Sequence, residues 1–119
     1  MKLREIRELL NAEVLIAEEA LDLVEVEKGY ASDLMSDVLA FSSPGVLLLT
    51  GLTNVQIFRT AQMLDIPAIA FVRGKMPSED LLKLAKEADM PILLTSMSMF
   101  ESCGRLYVKG LAPCNILKR

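Results

Sequence analysis

Three short segments of this chain carry the residue types that hold an anion. Val46-Leu47-Leu48-Leu49 runs into Thr50 and Gly51, then Thr53 and Asn54; Ala68-Ile69-Ala70-Phe71-Val72 runs into Arg73, Gly74 and Lys75; Ile92-Leu93-Leu94 runs into Thr95, Ser96 and Ser98. An apolar strand that passes through glycine or hydroxyl residues into a helix start offers free backbone N–H groups, which suit a phosphate or carboxylate. Arg73 and Lys75 would add positive charge. The same segments also have a plainer reading. Thr53-x-x-Gln56 and Ser98-x-x-Glu101 match the capping box, Ser78 with Glu79 and Asp80 caps a helix between them, and Thr53 is first a helix cap. Arg73 and Lys75 fit a solvated turn as well as a ligand contact. Neither glycine belongs to a nucleotide fingerprint, because Gly51 stands alone and Gly74-Lys75 lacks both the upstream glycine and the following hydroxyl of a Walker motif.

Catalytic sets are poorer. The chain has no histidine, so Ser-His-Asp and Cys-His arrangements are excluded and the commonest transition-metal ligand is missing. Cys103 and Cys114 do not form a CxxC pair and could give at most half of a four-thiolate site. Cys103 reads as a buried helix residue on the face of Met99 and Leu106, and Cys114, after Pro113, as the freer thiol. Asp33 and Asp37 are spaced for a carboxylate pair, yet one cap and one exposed residue is the simpler account. Met90, Met97 and Met99 read as core filling or a soft partner-binding surface. No catalytic residue, metal or cofactor is assigned.

The elements that must position these residues follow from periodicity. Leu3, Ile6, Leu9 and Leu10 share one helical face, and Asn11 fits that helix's end. Glu13 to Ala17 reads as a short strand, and Leu21 to Ala31 as an alternating strand with a bulge or bend at Gly29. Ser32 or Asp33 caps a short helix carrying Leu34, Met35, Val38 and Leu39, which Ser43-Pro44-Gly45 ends. Three apolar strands then alternate with amphipathic helices, and Pro67 and Pro91 each precede a strand. Such an alternation predicts a mainly parallel sheet flanked by helices, with all three strand-to-helix loops on one edge. That is a compact α/β fold, read as a single domain over 1–119.

Bulk composition limits the partners. A net charge of −3 and 5% aromatic residues argue against nucleic acid; the basic residues Lys109, Lys118 and Arg119 sit mostly at the end of the chain. A hydrophobic fraction of 52% beside 24% charged residues and a mean hydropathy of +0.37 imply much buried apolar surface, partly against a second copy in a homodimer. No apolar run approaches the roughly 18 residues of a membrane span, and MKLREIRELL has no signal-peptide apolar region. The expected location is the cytoplasm.

From Glu13 to about Leu111 the sequence resembles the DRTGG domain family. The likeness is carried by Ser32-Asp33-Leu34-Met35-Ser36-Asp37-Val38-Leu39, by Pro44 to Gly51, by Ala68 to Gly74 with Pro77-Ser78-Glu79, and by Pro91 to Ser96. The resemblance implies a fold similar to the N-terminal domain of HPr kinase and an accessory, regulatory role. Relatives are attached to phosphotransacetylases or cobyrinic-acid-synthase-like proteins, or inserted among CBS domains of pyrophosphatases. Stand-alone forms with SDLMSDVLAF followed by LLTGLTN accompany iron-only hydrogenase components in anaerobes, so the resemblance also implies such a component as protein partner. Two departures bear on the site. The Asp-Arg pair that names the family has no counterpart between Gly51 and Thr53, where Leu52 stands, and Thr-Gly-Gly is represented by Val72-Arg73-Gly74. The leading expectation is a non-catalytic regulatory or interaction domain. The alternative is a sensor of a nucleotide or other phosphate-bearing molecule, held by Thr50, Gly51, Thr53, Asn54, Arg73, Gly74, Lys75, Thr95 and Ser96.

Overall fold

The computed structural model describes residues 1–114. In chain order the elements are α1 (Leu3–Leu10), β1 (Glu13–Ile16), a 3-10 turn (Glu18–Asp22), β2 (Lys28–Ala31), α2 (Met35–Phe41), β3 (Leu47–Thr50), α3 (Val55–Met63), β4 (Ala68–Phe71), α4 (Glu79–Glu87), β5 (Ile92–Leu94), α5 (Met99–Val108) and β6 (Ala112–Pro113). The six strands form one sheet in the order β1-β5-β4-β3-β2-β6. All neighbours are parallel except β1, which runs antiparallel to β5. The expected mainly parallel α/β architecture is the one observed.

Each central strand must be apolar on both faces, because helices cover both. Leu47, Leu49, Ala68, Ala70, Val72 and Leu93 pack with Leu3, Ile6 and Leu10 of α1 and Leu106 of α5. Leu48, Ile69, Phe71 and Ile92 pack on the other side with Val38 of α2, Ile57, Phe58 and Ala61 of α3, and Leu81 and Ala85 of α4. That division explains why VLLL and AIAFV read as unbroken apolar runs rather than alternating ones.

Helix ends follow the sequence closely. Asn11, Asp65 and Asp89 end α1, α3 and α4 in the left-handed conformation, which short polar side chains tolerate better than other non-glycine residues. Ser78 and Ser98 accept the N–H groups of Leu81 and Glu101, both at 3.1 Å. Two expected caps are corrected. The N-cap of α3 is Asn54, whose Oδ1 accepts from Ile57 N–H at 3.2 Å, so Thr53 is not the cap. At α2 the N-cap is Leu34 with no side-chain cap; Ser32 Oγ accepts the Leu34 N–H at 3.0 Å, and Asp33 points elsewhere.

The expected strand over Leu21–Ala31 is shorter than its pattern. Its first part is the 3-10 turn, and residues 24–26 instead pair with the N-terminus, where Leu3 N–H donates to Val24 O and Val26 N–H to Met1 O. Only Lys28–Ala31 joins the sheet. Gly29 is no bulge, since it pairs in register with both Leu47 and Pro113. It leaves room for a close approach: a Cβ there would lie 2.9 Å from Leu111 Cδ2, and that side chain would have to shift.

Phe71 is fully buried in β4 at the centre of the second layer. Phe71→Ala should cost about 3–5 kcal/mol of unfolding free energy, measured by urea denaturation; a loss below about 1 kcal/mol would mean that this layer does not hold the sheet.

Candidate functional site

Because β2, β3, β4 and β5 are parallel, their carboxyl ends share one edge. Thr50 and Gly51 leave β3 there, Arg73 leaves the β4 turn, and Thr95 follows β5. The loops are tied by backbone bonds: Val72 N–H donates to Thr50 O at 3.1 Å, Arg73 N–H to Met97 O at 2.8 Å, and Gly74 N–H to Thr95 O at 2.9 Å. These bonds hold Arg73 (φ 61°) and Gly74 (φ 65°) in the left-handed region. For a long side chain such as Arg73 that conformation is costly and persists only where the surroundings fix it.

At the middle of this edge lies a carboxylate, Asp33, from the loop after β2. Its Oδ1 accepts from the Gly51 N–H at 2.6 Å and from the Thr50 hydroxyl at 3.4 Å. Its Oδ2 receives Arg73 Nη1 at 3.0 Å. The guanidinium lies across Gly51, where a Cβ would collide with Arg73 Nη2. A larger residue at this position would push the guanidinium out of that crossing. Partial burial alone would raise the Asp33 carboxyl, but the Gly51 amide and the Arg73 guanidinium outweigh it and hold the group below its usual carboxylate value.

The proposed anion contacts therefore divide. Thr50, Gly51 and Arg73 do converge, around Asp33, which in the sequence reads as a cap or an exposed residue. Gly74 and Thr95 join through backbone bonds. The Thr95 side chain is buried and structural: its hydroxyl donates to Leu10 O at 2.7 Å and accepts from Met97 N–H at 3.1 Å. Asn54 is committed to capping α3, and Thr53 ties α3 to α4 by accepting Ser78 N–H through its carbonyl. Lys75 and Ser96 are exposed. The signal for Asp33 lies in the end of β2: once Lys28–Ala31 pairs in parallel with β3, the loop that follows reaches the same edge.

A second feature is an apolar groove of about 350 Å³ between α5 and the β2–β6 margin, lined by Tyr30, Leu49, Phe100, Cys103, Tyr107 and Leu111 among others. Phe100 is 91% exposed and Tyr107 66%. The cysteines are the reverse of expectation. Cys103 is half-buried in this groove, and burial pushes its thiol up. Cys114 is buried, with Ser43 Oγ at 3.2 Å and Phe41 O at 3.5 Å. Among the described residues no three acidic or thiol groups are placed to hold a metal ion, and no helix is long and apolar enough to cross a membrane. Lys118 and Arg119 lie outside the described residues.

The fold and this edge define a three-layer α/β domain whose carboxyl-end loops meet in a charged clasp. No protein-family model matches the sequence, and no curated protein matches it. A solved structure does match: the CBS and DRTGG domains of the regulatory region of Clostridium perfringens pyrophosphatase, complexed with its activator diadenosine tetraphosphate. The identity is 25%, the TM-score 0.71, and the match covers 93% of this chain and 47% of that one. This chain has a DRTGG-like fold, and it spans about half the length of that regulatory region.

Two measurements check this geometry. Thr95→Val removes a buried donor and acceptor and should cost about 1–3 kcal/mol in urea denaturation; an unchanged midpoint would mean that the Thr95 hydroxyl does not help to fix the loop after β5 against α1. Asp33 contributes stability fully above the ordinary carboxylate value, and that contribution fades as pH falls through its lowered folded value. Arg73→Ala should therefore shift acid unfolding, followed by circular dichroism, to higher pH. With both side chains about 40% exposed the loss at neutral pH should be at most about 1 kcal/mol; superimposable acid transitions would show that the ion pair contributes nothing.

Proposed function

We propose that this chain is a non-catalytic regulatory domain that acts by contact with another protein, first a second copy of itself. The observation that carries this reading is the apolar groove on α5 with Phe100, Tyr107 and Val108 exposed beside it. Exposed aromatic surface next to a concave apolar wall is how recognition sites concentrate their binding energy. The regulatory, rather than catalytic, character of the solved neighbour supports it. The system regulated is a cytoplasmic redox or metabolic assembly such as a hydrogenase; that choice rests on the resemblance of SDLMSDVLAF and LLTGLTN to stand-alone DRTGG forms.

A second reading is a sensor for a nucleotide or other phosphate-bearing molecule at the carboxyl edge formed by Thr50, Gly51, Thr53, Asn54, Arg73, Gly74, Lys75, Thr95 and Ser96, with Thr50, Gly51 and Arg73 as the contacts and Asn54 and Thr95 as structural supports. It is supported by the convergence of Thr50, Gly51 and Arg73 on one carboxylate and by the nucleotide activator of the solved neighbour. The two readings combine readily, since a regulatory domain needs both an input and an output.

Light scattering at tens of micromolar should give twice the 13.1 kDa chain mass, and Phe100→Asp should return the protein to monomer with its thermal midpoint nearly unchanged. A wild-type monomer at that concentration would remove the second copy as partner. Failure of a hydrogenase component to co-elute at micromolar concentration would remove that assignment.

A further inference from the structure

Asp33 fills the place that an incoming anion would need. The donors around it are a backbone N–H, a threonine hydroxyl and a guanidinium, the set that commonly receives the oxygens of a phosphate. We propose that the Asp33 carboxylate is a built-in occupant of a phosphate seat formed by Gly51 N–H, Thr50 and Arg73, and that a phosphate-bearing ligand binds by displacing it. This deepens, and rests on, the sensor reading above.

The two sides of the clasp are unequally held. The donors belong to the β3 and β4 loops, which backbone bonds fix to one another and to the loop after β5. The carboxylate belongs to the short connection between β2 and α2, where Ser32 N–H donates to Leu49 O at 3.1 Å and Ser32 Oγ accepts the Leu34 N–H at 3.0 Å, whereas Asp33 meets the seat through its side chain. Displacement therefore moves the carboxylate side and leaves the seat in place. What moves with it is the start of α2, which presents Leu34 and Leu39 to solvent. Occupancy of the seat is in this way coupled to an apolar surface, by a contact that is either made to Asp33 or to the ligand. The charges make the exchange competitive: Asp33 neutralises Arg73 while the seat is closed and repels an arriving phosphate, so the ligand gains the guanidinium only as the carboxylate leaves.

The test is calorimetric titration with inorganic pyrophosphate at pH 7 on wild type, Asp33→Asn, Arg73→Ala and the Asp33→Asn/Arg73→Ala double variant. Asparagine can still accept the Gly51 N–H, so the loop keeps one anchor while the competing charge is gone. Asp33→Asn should bind at least tenfold more tightly than wild type, and Arg73→Ala should abolish that gain. Equal affinities in wild type and Asp33→Asn, both lowered by Arg73→Ala, would overturn the displacement while leaving the sensor reading intact. Tight binding independent of Arg73 would place the anion elsewhere and overturn it too. No binding at millimolar pyrophosphate in any form would remove both. If Asp33→Asn does not fold, amide NMR of the wild type decides: pyrophosphate must shift the Gly51 amide and the first amides of α2 together, and a shift at Gly51 alone would overturn the proposal.

Discussion

The burial of β3 and β4 on both faces is the constraint from which the remaining architecture follows. Leu47, Leu48, Leu49, Ile69, Ala70 and Phe71 leave almost no surface to water, and a sheet of that kind is stable only between two helical layers. α1 and α5 supply one layer, and α2, α3 and α4 the other. Parallel strands joined through those helices must all end at the same edge. Thr50, Gly51, Arg73 and Thr95 meet because the hydrophobic layers require it, and their chemistry is a consequence of that meeting.

Within the edge, one small residue permits the rest. Gly51 lets the Arg73 guanidinium lie across the chain, and from there it meets Asp33. The left-handed turn at Arg73 and Gly74, fixed by Met97 O and Thr95 O, aims the side chain in that direction. Backbone geometry, rather than the strength of the exposed ion pair, sets the position of the charges.

Much of the fold is legible in the sequence. Continuous apolar runs alternating with amphipathic helices specify the parallel layers, and Asn11, Ser78 and Ser98 mark helix ends that the structure keeps. Local pattern misleads where long-range contacts prevail. The alternation over Leu21–Ala31 suits a strand, but residues 24–26 satisfy their backbone against Met1 and Leu3 instead. Thr53 and Asn54 are both suitable caps, and only the three-dimensional turn selects Asn54. The site is half legible: Thr50, Gly51 and Arg73 can be read as an edge cluster. Their common partner Asp33 cannot, because its role depends on a parallel pairing that adjacent residues do not encode. The cysteines mislead for a related reason. A place near the end of the chain suggests an exposed Cys114, whereas Gly29 O receives its N–H and draws it inward.

The two outer strands limit how the domain can assemble with others. On one side β6 is only Ala112–Pro113, and Pro113 has no N–H to offer an arriving strand. On the other, β1 is four residues long, and its register against β5 shifts between Val14 and Ile16, which interrupts the regular row of donors and acceptors that strand addition uses. Among the described residues neither margin is a good template for extending the sheet. In a chain with so high an apolar content such margins disfavour edge-to-edge pairing, and most of its large exposed apolar side chains among the described residues lie on helices instead.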